Sequence, residues 1–549
     1  MLITNSGDPD VSAGFSSVDL FSFVRHTLGT SFKLTATTTV AIMPHLAKLM
    51  PNYVTASIAL SFGGFLNGYD TGSIGAIVHM EQFAATLGSL SPIVRGITVS
   101  VILLTGTVPA LFAGQLADKR GRLRVILPGA VLFGIGALLQ ATSFGLGQFI
   151  CGRAVSGVGQ GAFLGNIAVY ITEIAPSSRR GRLASLPLFM TTVGICLGYF
   201  ACYATSPLED SMAWRLPYVI MVAVSFMLAL ACRVLPESPR WLLLWGRTSD
   251  AMAALALLDF NMDEARQDFL NTPQEQPNLS ARQNFLLPFR GPYRSRTLLA
   301  LFILSMVQLS GIDAITYYAP ALFDQAGISN SNSSLVASGV SSITMLLISI
   351  PAFMLADKWG RRTSAISGGI FLSGLMILIG SLYAAGSVGP TGAARWVVIV
   401  SVFAFGMAYC ATWAIVARIY ASEILPGNAR AAGNSIGMAC SFFTNWLVAL
   451  ITPILLSASA YGAYFLFGAL TVFTVVVLTV FMPETRGRSL ENIQSEFRRP
   501  VFDNILGSLC LPGARRRAVA SQRTSEAPLE LQPRSTEPSN VASSSGVAT

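Results

Sequence analysis

The sequence predicts an all-α integral membrane protein with twelve transmembrane helices in two six-helix halves. Hydrophobic residues make up 52% of the chain and charged residues only 11%, whereas a soluble domain averages about 25% charged residues. Many apolar runs reach the roughly 20 residues that a helix needs to cross a bilayer. Two charged motifs also occur twice in the same order, and an internal repeat of this kind is typical of secondary transporters.

The first repeated motif is LADKRGR at 116–122, which returns as LADKWGR at 355–361, 239 positions later (355 − 116). The second motif places an Arg seven positions after a Glu, in Glu173 with Arg180 and again in Glu423 with Arg430. The two glutamates are 250 positions apart (423 − 173). Similar offsets for unrelated motifs indicate two similar halves.

Six apolar spans are expected in each half. The first six fall near 54–78, 96–117, 124–142, 147–171, 183–203 and 215–235. The second six fall near 298–322, 335–356, 364–386, 396–418, 431–456 and 461–482. Lys and Arg gather in alternate loops, which orients those loops and both termini toward the cytoplasm.

These spans divide the chain into five regions. They are an N-terminal cytosolic tail, a first bundle, a polar cytosolic linker, a second bundle and a C-terminal cytosolic tail, at 1–52, 53–235, 236–297, 298–482 and 483–549. The end of the last tail is rich in Ser, Pro, Thr and Glu, a composition that predicts disorder.

Composition also argues against several classes of function. The net charge of +9 follows the loop pattern of a membrane protein and does not indicate binding to nucleic acid. The seven cysteines form no Cys-x-x-Cys pair and there are only three histidines, so we expect neither a metal site nor a cofactor. The chain carries no phosphate loop, and we expect no enzyme activity.

Further motifs carry a resemblance to a known family. They are GYDTG at 68–72, GR at 152–153, GVGQG at 157–161, PESPRWL at 236–242 and PETRG at 483–487, besides the two repeats. In this order they resemble the sugar porter family of the major facilitator superfamily, over approximately 55–495. The segment RIYASE at 418–423 most resembles the corresponding segment of fungal members.

The charged residues at the cytoplasmic ends of the spans are candidates for a gate. They are Asp118, Arg122, Glu173, Arg180, Asp357, Arg361, Glu423 and Arg430. Bidentate pairs between carboxylates and guanidinium groups that cross between the halves would hold the inner side closed. The other interpretation is that these charges only orient the loops and cap helices.

Asp70 lies inside an apolar span, where a carboxylate costs on the order of 2.5–3.5 kcal/mol on insertion scales. Arg153 lies in another span and is its natural partner. The resemblance implies proton coupling, because proton-coupled members carry Asp at this position and glucose uniporters carry Asn. The alternative is a permanent structural pair between Asp70 and Arg153.

The expected substrate site departs from the family pattern. Amide and indole groups that bind sugar hydroxyls in the family are replaced by Pro187, Leu188 and Met345. The candidates that remain or are new are Gln308, Asp313, Tyr317, Tyr318, Arg418, Asn445 and Trp446. Either Asp313 and Arg418 pair with each other, or Arg418 receives a substrate carboxylate by its fork geometry.

The sequence therefore predicts a transporter of a small organic solute that works by alternating access with protons. The candidate solutes are a sugar, a polyol or a hydroxy or aromatic acid such as quinate, although the changed site is a poor one for plain glucose. Export of a metabolite on the same fold and a transporter-like sensor are the alternatives. We expect a monomer in the plasma membrane, with the solute, protons and the lipid bilayer as its partners. Asn332 begins an Asn-x-Ser acceptor for glycosylation on an outer loop, although such tripeptides also arise by chance.

Overall fold

The computed structural model describes residues 52–485. Within this range it does not describe 177–178, 261–264, 266–268, 270–284, 292, 329–330, 356–359, 390–391 and 426, nor the side chains at 331–332, 353, 355 and 427–431. Asp357, the side chains of Asn332 and Arg430, and nearly all of both predicted tails lie outside the described residues.

The first half consists of helices alone over its described residues. They are α1 (Asn52–Ile77), α2 (Glu81–Leu87), α3 (Pro92–Arg120), α4 (Leu123–Ala141), α5 (Leu146–Ile174), α6 (Arg180–Ala184), α7 (Leu186–Thr205) and α8 (Met212–Val234). The described part of the polar linker includes the short helices α9 (Pro239–Leu244) and α10 (Thr248–Leu257) and a 3-10 turn at Leu287–Phe289. Trp241 and Leu242 of α9 pack against Ala251 and Ala254 of α10 in a small apolar cluster.

The second half repeats the arrangement. Its helices are α11 (Arg294–Gln308), α12 (Ile312–Gln325), α13 (Ser331–Leu355), α14 (Arg361–Ala384), α15 (Ala393–Ala411), α16 (Trp413–Ile424), α17 (Gly427–Ala458) and α18 (Gly462–Phe481). Exposed side chains on the outer faces include large apolar ones such as Val108, Leu347 and Val400, each more than 60% exposed. Such faces suit contact with lipid.

Eleven helical segments among the described residues are long and apolar enough to cross a membrane. The remaining predicted span is α1, whose 26 residues exceed the roughly 20 that a crossing requires. Its glycines, Asn67 and Asp70 make it less hydropathic than the others. These segments together account for the twelve predicted spans of a multi-pass membrane protein.

Two of the predicted spans are broken helices. The seventh is interrupted between α11 and α12, where Gly311 adopts a left-handed conformation with φ of 90° that glycine enters without a steric penalty. The tenth is interrupted at Thr412, with φ of −125° and ψ of −75°. Non-helical backbone within a membrane span is tolerated where protein covers it or where it lines a cavity.

The glycines of α1 allow unusually close packing. A Cβ placed on Gly64, Gly68 or Gly72 would lie 2.1, 1.8 and 2.3 Å from backbone carbonyl oxygens of α7. The three residues are four positions apart and therefore lie on one face of the helix, as in small-xxx-small packing motifs of membrane helices. α1 is consequently an interior helix, which explains why it can be the least hydropathic span.

The halves meet mainly where α3 packs on α17, α7 on α13, and α1 on α12. At the first contact, glycines of α3 approach Leu450, Phe442 and Ser435 of α17. At the third, a Cβ on Gly75 of α1 would lie 1.7 Å from the carbonyl oxygen of Tyr317. Part of the surface between the halves is therefore in direct backbone contact.

Candidate functional site

The first charged cluster joins the ends of three helices on the side of the first half where cytoplasmic loops are predicted. Arg122, between α3 and α4, donates from Nη2 to Glu173 Oε1 of α5 at 2.8 Å and from Nε to Oε2 at 3.1 Å. It also pairs with Asp118 at the end of α3. Burial lowers the pKa of Arg122, but Glu173 and Asp118 outweigh burial and hold the pKa above its usual value. The guanidinium is therefore a permanent positive centre.

A further carboxylate completes this cluster. Glu237 accepts hydrogen bonds from the backbone N–H groups of Arg122, Leu123 and Arg124 at 3.1, 3.1 and 3.3 Å. A carboxylate in this place caps the start of α4 and is stabilised by the helix dipole. The approach is so close that a Cβ on Gly121 would lie 2.5 Å from Glu237 Oε1.

The second half contains the equivalent cluster. Glu484 accepts from the backbone N–H groups of Arg361 and Arg362 at 2.8 and 3.1 Å, at the start of α14. Arg361 Nη2 lies 3.2 Å from Glu423 Oε1 of α16, and Thr485 donates to Glu423 Oε2 at 2.6 Å. The repeat of the sequence is therefore also a repeat of contacts.

Sequence reasoning did not assign a role to Glu237 or Glu484. Their signal was present, since both follow Pro in the matching segments PESPR and PETRG. The contact itself joins residues more than 110 positions apart, so the sequence does not show it.

The ion pairs described at both clusters join helices of the same half. The expectation that the candidate gate pairs cross between the halves is therefore not what these contacts show. Arg180, at the start of α6, has a buried Nε without a hydrogen-bond partner. The clusters, as described, tie together helix ends within each half.

Asp70 and Arg153 form an ion pair inside the first half, as the sequence predicted. Arg153 donates from Nη1 to Asp70 Oδ1 at 3.0 Å and from Nη2 to Oδ2 at 3.2 Å. The side chain of Arg153 is 0% exposed and that of Asp70 is 3% exposed. Arg153 also donates to the carbonyl oxygen of Val99 at 2.9 Å, so the pair connects α1, α3 and α5.

This pair lies next to the contact between the halves. Thr71, which follows Asp70, is within hydrogen-bonding reach of Tyr317 on α12. One helical turn later, Gly75 touches the backbone of the same tyrosine. Tyr199 of α7 donates its hydroxyl to the carbonyl oxygen of Thr316. α1 is thus in direct contact with α12 of the other half.

The expected substrate residues lie on three spans of the second half. Gln308 ends α11 and is half-buried, and Asn445 and Trp446 are half-buried on α17. Tyr317 and Tyr318 are buried on α12, and Tyr318 donates to the carbonyl oxygen of Ala449 on α17 at 2.7 Å. The hydroxyl of Tyr318 is therefore already engaged within the protein.

Asp313 and Arg418 are near one another without forming an ion pair. Asp313 is 9% exposed in the first turn of α12, and Arg418 is exposed on α16. Their charges interact, but the ion pairs within 4.0 Å that the structure describes do not include them. Asn445 is within hydrogen-bonding reach of Asp313.

Comparison with known proteins matches most of the chain to transporters. The family model described as "Sugar (and other) transporter" matches residues 56–497. The glucose transporter GlcP of Staphylococcus epidermidis is 31% identical over 442 residues, which cover 80% of this chain and 96% of that protein. The arabinose-proton symporter of Bacillus subtilis is 29% identical over 450 residues, covering 80% of this chain and 94% of that protein.

A fungal protein and a solved structure extend the comparison. The MFS-type transporter criB of Aspergillus cristatus is 29% identical over 451 residues, covering 81% of this chain and 93% of that protein. The proton:xylose symporter XylE, solved with 6-bromo-6-deoxy-D-glucose, aligns with a TM-score of 0.67 and 23% identity. This alignment covers 81% of this chain and 99% of XylE, and it shows a shared fold.

Proposed function

Because the chain belongs to the sugar transporter family, we propose that it moves a small organic solute across the plasma membrane by proton-coupled alternating access. The solute is a sugar, a polyol or a hydroxy acid, and no covalent step is involved. The protein acts as a monomer with both termini in the cytoplasm. An epitope at either terminus should then bind antibody only after the cells are permeabilised.

The observation that carries the proposal is the buried pair of Asp70 and Arg153. An arginine that cannot lose its proton faces a carboxylate that can gain one. Protonation of Asp70 weakens the pair, and α1 is then free to move against α12, which it touches at Thr71 and Gly75. Proton binding and the arrangement of the halves are thereby linked, and linkage works in both directions.

The charged clusters have a supporting role in this proposal. Each one ties the cytoplasmic ends of helices within its own half, through Arg122 with Glu173 and through Arg361 with Glu423. We therefore assign to the gate residues the task of keeping each half rigid while the halves rock. Rigid halves move around a fixed site, which is the motion expected for alternating access.

The test is solute flux into proteoliposomes under an imposed pH gradient. Glucose, xylose, quinate and an aromatic acid are offered on either side, with wild type, Asp70→Asn and the control Asp250→Asn. Asp250 pairs with Arg247 on the surface and is half-exposed, so its change should leave flux unaltered. We expect wild type to accumulate a solute with the gradient, and Asp70→Asn to keep exchange but lose accumulation.

Two results would overturn the proposal. Accumulation by Asp70→Asn that still follows the pH gradient would remove Asp70 from coupling and make its pair structural. An absence of flux for correctly folded wild type on both sides would favour a sensor. The side on which accumulation occurs separates import from export.

A further inference from the structure

Arg418 is a cation within a membrane span, and among the residues that the structure describes it has no ion-pair partner within 4.0 Å. It lies six residues before the end of the span Ala393–Ile424 (424 − 418). Its side chain is exposed. Charges at such a depth face a cavity or a partner and mark solute pathways.

The electrostatic neighbours of Arg418 show which way its charge is directed. They are Tyr409 and Asp313, and Tyr409 lies nine residues earlier on the same span (418 − 409). Both neighbours are away from the cytoplasmic end at Ile424. A helical side chain leans toward the helix N-terminus, which here is the same direction. Both observations favour a guanidinium group directed into the span over one that extends to the cytoplasmic surface as a snorkelling arginine would.

Two oxygen acceptors near this cation lack partners. Asp313 Oδ2 is buried without a hydrogen-bond partner, and so is Asn445 Oδ1. Unpaired buried polar atoms are rare in folded proteins and require an explanation. A ligand that supplies hydroxyl donors to these oxygens, and an anionic group to Arg418, would satisfy all three residues at once.

We infer that the site takes a hydroxylated monocarboxylate, whose carboxylate Arg418 binds and whose hydroxyl groups donate to Asp313 and Asn445. The inference rests on the proposed transport function and specifies its substrate class. The planar guanidinium matches a carboxylate through two parallel hydrogen bonds. Asp313 would repel a second carboxylate, which favours monoacids over diacids.

The test measures equilibrium binding to the purified full chain in detergent at one pH, without a proton gradient. The probes are quinate and its methyl ester, which differ in the charge of one group. We expect quinate to bind at least about tenfold more tightly than the ester, because charge-assisted pairing is lost in the ester. Failure of proton coupling in the flux assay does not affect this measurement, so the two proposals fail separately.

Variants identify the residue responsible. Arg418→Gln should weaken quinate binding about tenfold. The quinate affinity of Arg418→Lys should lie between those of wild type and Arg418→Gln, because lysine keeps the positive charge without the planar guanidinium group. Asp313→Asn should retain the preference for the acid. The control is Arg233→Gln, an exposed arginine at the cytoplasmic end of α8, which should bind as wild type does.

Three results would overturn the inference. Equal binding of quinate and its ester would show that no carboxylate is recognised. Unchanged quinate affinity in Arg418→Gln would show that Arg418 and Asp313 serve only each other. If folded wild type binds neutral polyols but does not bind quinate, the acid class is excluded.

Discussion

Asp70 and Arg153 face each other through two parallel contacts of 3.0 and 3.2 Å, and they come from different membrane helices. Almost no surface of either side chain is exposed. Removing one partner therefore leaves the other charge unpaired in a medium that solvates it poorly. The pair is a structural link between α1 and α5 as well as the proposed proton site.

Arg153→Gln should lower the free energy of unfolding by about 3–5 kcal/mol, because Asp70 is then buried without its counter-charge. Asp70→Asn should also destabilise, since Arg153 keeps its charge. The double variant should be more stable than the sum of the two losses implies. Unfolding in detergent measures all three, and strictly additive losses would contradict a direct pair.

Glu237→Ala and Glu484→Ala should each cost about 1–2 kcal/mol of stability, because each removes a carboxylate cap from a helix start. Since the two contacts are equivalent, we expect similar losses in the two halves. Glu209→Ala, at an exposed position outside the helices, is the matched control and should leave the unfolding temperature unchanged. A loss confined to one half would contradict the equivalence.

Gly68→Ala should prevent correct assembly of the first half, because its Cβ would lie 1.8 Å from the carbonyl oxygen of Thr191. The same change at Gly374 meets no atom within 4 Å and lies inside α14. There it should stabilise by about 0.5–1 kcal/mol, because alanine favours the helix. Expression and size-exclusion profiles compare the variants, and a well-folded Gly68→Ala protein would contradict this packing.

His79 follows α1 and should make stability depend on pH. Burial lowers its pKa below 6.5, Asp324 raises it and Arg95 lowers it further. The folded protein therefore favours the neutral imidazole, so its contribution to stability is present above the unfolded pKa and is lost as the pH falls through the folded pKa. Unfolding temperatures measured below pH 6.5 should decline less in His79→Gln than in wild type. Equal declines would show that other groups are responsible.

Much of the fold could be predicted from the sequence because membrane spans are recognisable by their length and apolar composition. The pairing of Asp70 with Arg153 could also be predicted, since a carboxylate in an apolar span requires a cation. Its role in proton coupling stays a prediction. The repeats indicated the equivalence of Glu173 and Glu423, and the contacts of these two residues agree with it.

Other features depend on distant contacts that local patterns do not contain. The caps formed by Glu237 and Glu484 require that the segment after the last span of each half contacts the start of the third span. The break at Thr412 has neither glycine nor proline at that position to mark it. Whether an ion pair crosses between the halves is likewise decided by how helices pack, so the sequence could not show that Arg122 and Arg361 pair within their own halves.

The two caps also decide how movement is distributed along the chain. Glu237 and Glu484 stand just after the last span of each half and hold the start of that half's third span. The segment that leaves the first half is therefore anchored to the body of that half at the second residue of the linker. If the halves rock as proposed, this anchor keeps the end of α8 in its packing. The second half has the matching contact, so in each half a carboxylate joins the end of the last span to the start of the third span.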